Sequence, residues 1–103
     1  MTRFGLNGQI IAQPGKGDAL AEILLDAARG LQANPECELY VIHRSDEEPD
    51  SVWVTEVWKS RGAHAASLDD PAVKEQIQQA RPLIAGFGER RELLPVGGKG
   101  LAD

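Results

Sequence analysis

The run Ser51-Val-Trp-Val-Thr-Glu-Val-Trp-Lys-Ser60 constrains this chain more than any other stretch. Val, Trp and Thr dominate it, and β-branched and aromatic side chains fit a pleated sheet better than a helix. Strand alternation puts Val52, Val54, Glu56 and Trp58 on one face and Trp53, Thr55 and Val57 on the other. Both faces are largely apolar, whereas a strand with one wet side would be polar at every second position. Each face therefore needs a cover. In a chain of 103 residues one layer of helices can cover one side, and the simplest cover for the other is a second copy of the chain. The lone carboxylate Glu56 shares its face with Trp58, which makes that face the first place to look for a site.

A chain of this length forms one domain that buries roughly 60–70% of its unfolded surface, so oligomerisation would enlarge a modest core. Its 42% hydrophobic and 26% charged residues suit a soluble globular domain rather than a disordered one. A net charge of −5 with no basic face argues against nucleic acid as a partner. Cys37 is the only cysteine, so no intrachain disulfide forms and a reduced, cytoplasmic setting is expected. The first residues lack a basic segment followed by an apolar run, and no stretch approaches the ~18 apolar residues of a membrane span. Neither secretion nor a membrane partner is expected.

Taken in order, Phe4 to Gln13 alternates as a strand, and Pro14-Gly-Lys-Gly17 breaks it. Asp18 reads as the N-cap of a helix with Glu22 in its first turn, whose stripe carries Leu20, Ile23, Leu24, Ala27, Ala28 and Leu31. Cys37 to Arg44 forms the second strand, and the polar Ser45–Asp50 segment is short enough to make a hairpin with the Ser51–Ser60 strand. Ser60 caps a short helix through Leu68. Asp69-Asp-Pro71 starts another helix that ends at Arg81-Pro82. A fourth strand is expected over Phe87 to Val96. The order β-α-β-β-α-β predicts a ferredoxin-like split βαβ fold, an α+β domain over residues 1–96 whose four-stranded antiparallel sheet has helices on one side. Residues 97–103 form a glycine-rich tail that lies loose or reaches across a partner.

The chain has few residues for common chemistries. His43, His64 and Cys37 do not stand at metal-ligand spacing, so no metal is expected. Pro14-Gly-Lys-Gly17 lacks the length and the hydroxyl of a phosphate loop, and no Gly-x-Gly-x-x-Gly follows a strand. His64 and Ser67 are three apart on one helix, without an acid placed to orient the imidazole. Glu56 and Trp58 say more. They read either as an ion pair of Glu56 with Arg90 or Arg91 beside a core tryptophan, or as part of an apolar pocket between sheet and helices suited to a flat aromatic ligand. Asn7, Tyr40, His43 and His64 are the candidate polar groups of that pocket.

Trp53-Val-Thr-Glu-Val-Trp-Lys-Ser60, Ala63-His-Ala-Ala-Ser-Leu68, Pro71 and Arg81-Pro-Leu-Ile84 together resemble the antibiotic biosynthesis monooxygenase domain family, the small quinol and anthrone monooxygenases. The first strand, the Pro14-Gly15 turn and Pro95-Val-Gly-Gly98 fit as well, and Glu-x-Trp-x-Ser is the most specific element. The resemblance implies a dimeric α/β barrel in which two such sheets face each other. It also implies oxidation of phenols or quinols by molecular oxygen, with no cofactor. Trp58 matches the family's strand tryptophan, but Val54 stands where anthrone-oxidising relatives have Asn. Ser67 stands where quinol-type relatives have His, with His64 one turn upstream. Ile77 and Ser67 stand where a haem-degrading branch has His and Trp, so haem is not implied.

Two hypotheses result. In the first, the protein is a cofactor-independent monooxygenase acting on a small aromatic, phenolic or quinol substrate, with His64, Trp58 and Asn7 catalytic and Tyr40, His43, Val54, Glu56 and Ser67 at the substrate. The second is a non-catalytic small-molecule-binding or structural homodimer of the same fold.

Overall fold

The computed structural model describes residues 2–101. Strand β1 (Phe4–Ala12) leads to helix α1 (Gly17–Leu31), strands β2 (Cys37–Arg44) and β3 (Ser51–Trp58), helices α2 (Arg61–Ser67) and α3 (Pro71–Ala80), a 3-10 turn (Arg81–Leu83) and strand β4 (Ile84–Leu93). The strands form one antiparallel sheet in the order β2-β3-β1-β4, the ferredoxin-like arrangement, with β3 and β1 in the middle. The hairpin between β2 and β3 forms as its short polar loop requires.

Register decides which side chains meet the helices. Leu6 and Tyr40 both lie opposite Glu56, and Gly8 and Ile42 opposite Val54, so these residues share the face that α1 to α3 cover. On that face Val52 and Trp58 lose nearly all contact with solvent and Val54 is buried. Their burial falls into two clusters. One packs Ala12, Leu20, Ala21, Val52 and Ala80 at one end of the sheet, and the other packs Phe4, Leu6 and Trp58 at the opposite end, against Leu31 and Ala63. Tyr40 and Glu56 belong to neither cluster.

Among the described residues no helix covers the other face. Trp53 and Thr55 are half-buried there, and Ile11 and Val41 are 37% and 38% exposed. Among the β3 residues of this face Ser51 is buried at the start of the strand, and near its end so is Val57. Its strand partner is Gly5, where a Cβ would stand 2.9 Å from Pro95 Cγ. The residues after β4 therefore lie over this end of the sheet, and only glycine admits them.

Two expectations need correction. The fourth strand runs from Ile84 to Leu93, not Phe87 to Val96, because the 3-10 turn hands the chain straight to the sheet edge and register shifts follow along β1. Helix α1 begins at Gly17 after Lys16, with no side-chain cap, and Asp18 lies inside its first turn. The N–H groups of Gly15 and Gly17 are instead accepted by the Asp50 carboxylate, at 3.2 and 3.4 Å, from the far side of the β2–β3 loop. Ser60 and Asp70 do cap α2 and α3, accepting from Ala63 N and Ala72 N. Of the glycine-rich tail, residues 102 and 103 lie outside the described residues.

Candidate functional site

Between the two core clusters the helices stand away from the sheet and leave a cavity of about 160 Å³. Its floor is Tyr40, Glu56 and Trp58, and its roof comes from α1, α2 and α3, with Leu24, His64 and Ile77 among the lining side chains. A second cavity of about 210 Å³ adjoins it, lined by Leu6, Ile10, Val54, Phe87 and Arg90. Tyr40 and Glu56 line both and form the wall between them.

Strand alternation brings Glu56 and Trp58 to one face, and the turn after Trp58 lets the Ser60 cap start α2 so that His64 swings back over them. The indole Nε1 of Trp58 donates to Glu56 Oε1 at 3.0 Å. His64 Nε2 lies 3.8 Å from the same oxygen, beyond hydrogen-bond range. Its ring packs 5.1 Å from Phe4 and edge-on at 5.6 Å from Trp58. Behind Phe4 the Arg61 guanidinium stacks at 4.5 Å from the ring centre and pairs with Glu92 at 2.9 Å. The imidazole is thus held by ring packing on both sides.

Burial sets the protonation states. It raises the Glu56 pKa, an effect that the Trp58 hydrogen bond and the Arg90 charge only partly offset. It lowers the His64 pKa, and Arg90 lowers it further. His64 is therefore neutral at pH 7 and makes no ion pair with Glu56. Tyr40 is pushed far up, first by burial and then by the Glu56 charge, and stays a phenol. An apolar chamber holding one carboxylate, one neutral imidazole, one indole N–H and one phenol can bind a flat ring, exclude water and move a proton.

The structure brings together Trp58, Glu56, His64, Tyr40 and Ser67 around the first cavity and puts Val54 in the second. The Ser67 hydroxyl is spent on the backbone, donating to the His64 carbonyl at 2.6 Å. Asn7 and His43 do not join them. Asn7 lies opposite Thr55 and is exposed on the open face, and His43 is exposed there too, its Nε2 3.2 Å from Thr55 Oγ1. The expected pairing of Glu56 with an arginine also fails: Trp58 is its hydrogen-bond partner, while Arg90 bonds Glu92 and Arg91 bonds Glu89. Sequence reading missed the wall that α1 and α3 supply, although Leu24 and Ile77 stood on apolar stripes that signalled it. Among the described residues no group of three or more His, Cys, Asp or Glu side chains could hold a metal ion, and no helix is long and apolar enough to cross a membrane.

Fold and cavity define a ferredoxin-like α+β domain with a small chamber between sheet and helices. The family model for antibiotic biosynthesis monooxygenases matches residues 3–79, and this chain belongs to that family. A crystal structure from Chloroflexus aurantiacus, provisionally named an antibiotic biosynthesis monooxygenase, is 43% identical, with 97% of this chain and 99% of that one covered and a TM-score of 0.88. A similarly named Caulobacter crescentus structure is 26% identical over 93% of this chain and 92% of that one, with a TM-score of 0.84. A Pseudomonas aeruginosa protein shares the fold at 18% identity, covering 94% of this chain and 97% of that one, with a TM-score of 0.82. Among curated proteins none matches.

Proposed function

We propose that the protein is a cofactor-independent monooxygenase that oxidises a small phenol or hydroquinone with molecular oxygen. The observation that carries this reading is the apolar cavity of about 160 Å³ whose only ionisable floor and roof groups, Tyr40, Glu56 and His64, cluster with Trp58. An apolar cavity of roughly 150 Å³ holds one benzene ring. A single-ring substrate therefore fits the first cavity, and a larger one would extend past Tyr40 and Glu56 into the second. Hydroquinone and oxygen give hydroxybenzoquinone and water, so the substrate supplies all four electrons. The protein then binds the ring, removes water from it and takes its proton.

In this reading two copies pack their open faces together as a homodimer, covering Trp53, Ile11 and Val41. The alternative, a binding dimer without turnover, draws on the apolar, buried Val54. Oxygen consumption by the pure protein with a panel of hydroquinones and anthrones separates the two. Turnover of single-ring hydroquinones, reduced in Trp58→Ala, is expected. No turnover of any member, with Trp58→Ala indistinguishable from wild type, leaves the binding reading.

A further inference from the structure

Among the described residues Glu56 is the one carboxylate that lines both cavities; Glu89 lines the second alone, is exposed and pairs with Arg91. Its two oxygens are differently placed. Oε1 accepts from Trp58 Nε1, which fixes the carboxylate plane, and among the described residues Oε2 accepts no hydrogen bond. Among the described residues no buried side-chain oxygen lacks a partner, so Oε2 is not sealed into the wall but open to an incoming donor. The residue that carries this open oxygen lines a chamber of the size of one ring.

We propose that Glu56 is the proton acceptor for a substrate hydroxyl. The substrate O–H bond breaks, an O–H bond forms on the Glu56 carboxylate, and the products of this step are a neutral carboxylic acid and a phenolate; no electron moves until oxygen takes one from that phenolate. The assignment rests on the monooxygenase reading for the later reaction with oxygen, but not for the proton transfer itself.

Charge favours Glu56 over His64 for this task. A proton on His64 would create an imidazolium that burial disfavours first and Arg90 next, with Glu92 favouring it and Arg61 opposing it again, so that on balance it is disfavoured. A proton on Glu56 removes a charge that burial already penalises. The groups facing Glu56 are Tyr40 and Cys37 from β2, His64 from α2 and Arg90 from β4. Helices α1 and α3 add only apolar and amide side chains to the wall. Tyr40 stays protonated, which leaves Glu56 as the anionic group with a free oxygen on the cavity.

Two measurements test this. In oxygen uptake with hydroquinone, wild-type kcat/KM should rise with pH through the Glu56 ionisation. Glu56→Gln should lower it by about 10²–10⁴-fold and abolish that limb, Glu56→Asp should restore a limb, and His64→Ala should keep it. In anaerobic titrations, wild type at pH 8 should prefer phenol over anisole by about tenfold or more, as a hydrogen bond to a charged acceptor gives. That preference should vanish in Glu56→Gln and at pH values low enough to protonate the carboxyl. Circular dichroism checks that the isosteric variant, which keeps an oxygen for Trp58, is folded. Phenol preference without oxygen uptake keeps the proton acceptor and ends the monooxygenase reading. Oxygen uptake that Glu56→Gln leaves within threefold, or equal affinity for phenol and anisole, overturns the proposal.

Discussion

A carboxylate kept in an apolar wall should cost the fold something, and at Glu56 the sign can be worked out. Its folded pKa lies above the ordinary value of 4.5, mainly through burial. Below 4.5 both folded and unfolded chains carry the proton and the contribution to stability is complete; as pH rises through the folded pKa, the fold must ionise a poorly solvated group and stability is lost. His64 runs the other way. Its folded pKa lies below 6.5, so its penalty appears as pH falls under that value. Wild type and Glu56→Gln share the His64 effect, which drops out of their comparison to first order. Glu56→Gln, retaining the oxygen that accepts from Trp58, should therefore melt at a higher temperature than wild type at pH 8, with the gap closing below pH 4. Thermal unfolding followed by circular dichroism at both pH values measures this, and a variant no more stable than wild type at pH 8 would contradict the burial argument. Stability gained together with proton transfer lost is the pattern expected of a group placed for function rather than for folding.

Helix α2 is the element on which the site depends most and which has the least to hold it. It has seven residues, buries none of them completely, and still carries His64. Its hold on the fold comes from its ends and one stack: Ser60 Oγ accepts from Ala63 N at 3.0 Å, and Arg61 reaches both Phe4 and Glu92. Ser60→Ala should cost about 1 kcal/mol. Because that cost falls on a short helix, hydrogen exchange should rise in α2 well before it rises in β1 or β3; uniform exchange across the chain would refute this. The Ser60 cap and the helix start at Asp69-Asp-Pro71 were legible in the sequence because a cap lies next to what it caps. The N-terminus of α1 was not. Asp50 serves it from 33 residues away, so local spacing pointed to Asp18, whose carboxylate instead pairs with Arg44. Gly17 shows the same long-range constraint, since a Cβ there would meet Pro49 O at 2.2 Å, in the backbone of that loop. Although alanine is the better helix former, Gly17→Ala should destabilise the protein by about 1–3 kcal/mol, as overpacking does, and denaturant unfolding would read it. The same distinction explains the site. Alternation inside β3 put Glu56 and Trp58 together, but the faces of Asn7 and His43 depend on which residue of β3 each opposes, and only pairing decides that.

At the scale of the whole molecule the open sheet face is the unfinished part of the fold. The helix-covered face has its two clusters and two cavities, whereas the opposite face presents Ile11 and Val41 more than a third exposed beside a half-buried Trp53. After β4, Leu94 and Val96 are 61% and 90% exposed. An apolar surface of this kind on a small domain marks an interface, and the homodimer proposed above would cover it with a second copy. The expected solution mass is twice 11.1 kDa at micromolar concentration. Val41→Glu provides the sharper test. Its side chain is accessible in one protomer, so a carboxylate there is solvated and the fold should keep its circular dichroism and most of its stability. In a face-to-face dimer the same carboxylate would lose water in both copies, with a twofold-related charge nearby, at a cost of several kcal/mol per ion unless paired. Light scattering should show the variant shifted to the monomer mass. The cavities are lined from within one protomer, so phenol binding should survive that shift. A wild-type monomer, or a Val41→Glu variant that stays dimeric, would mean that this face is not where two copies meet.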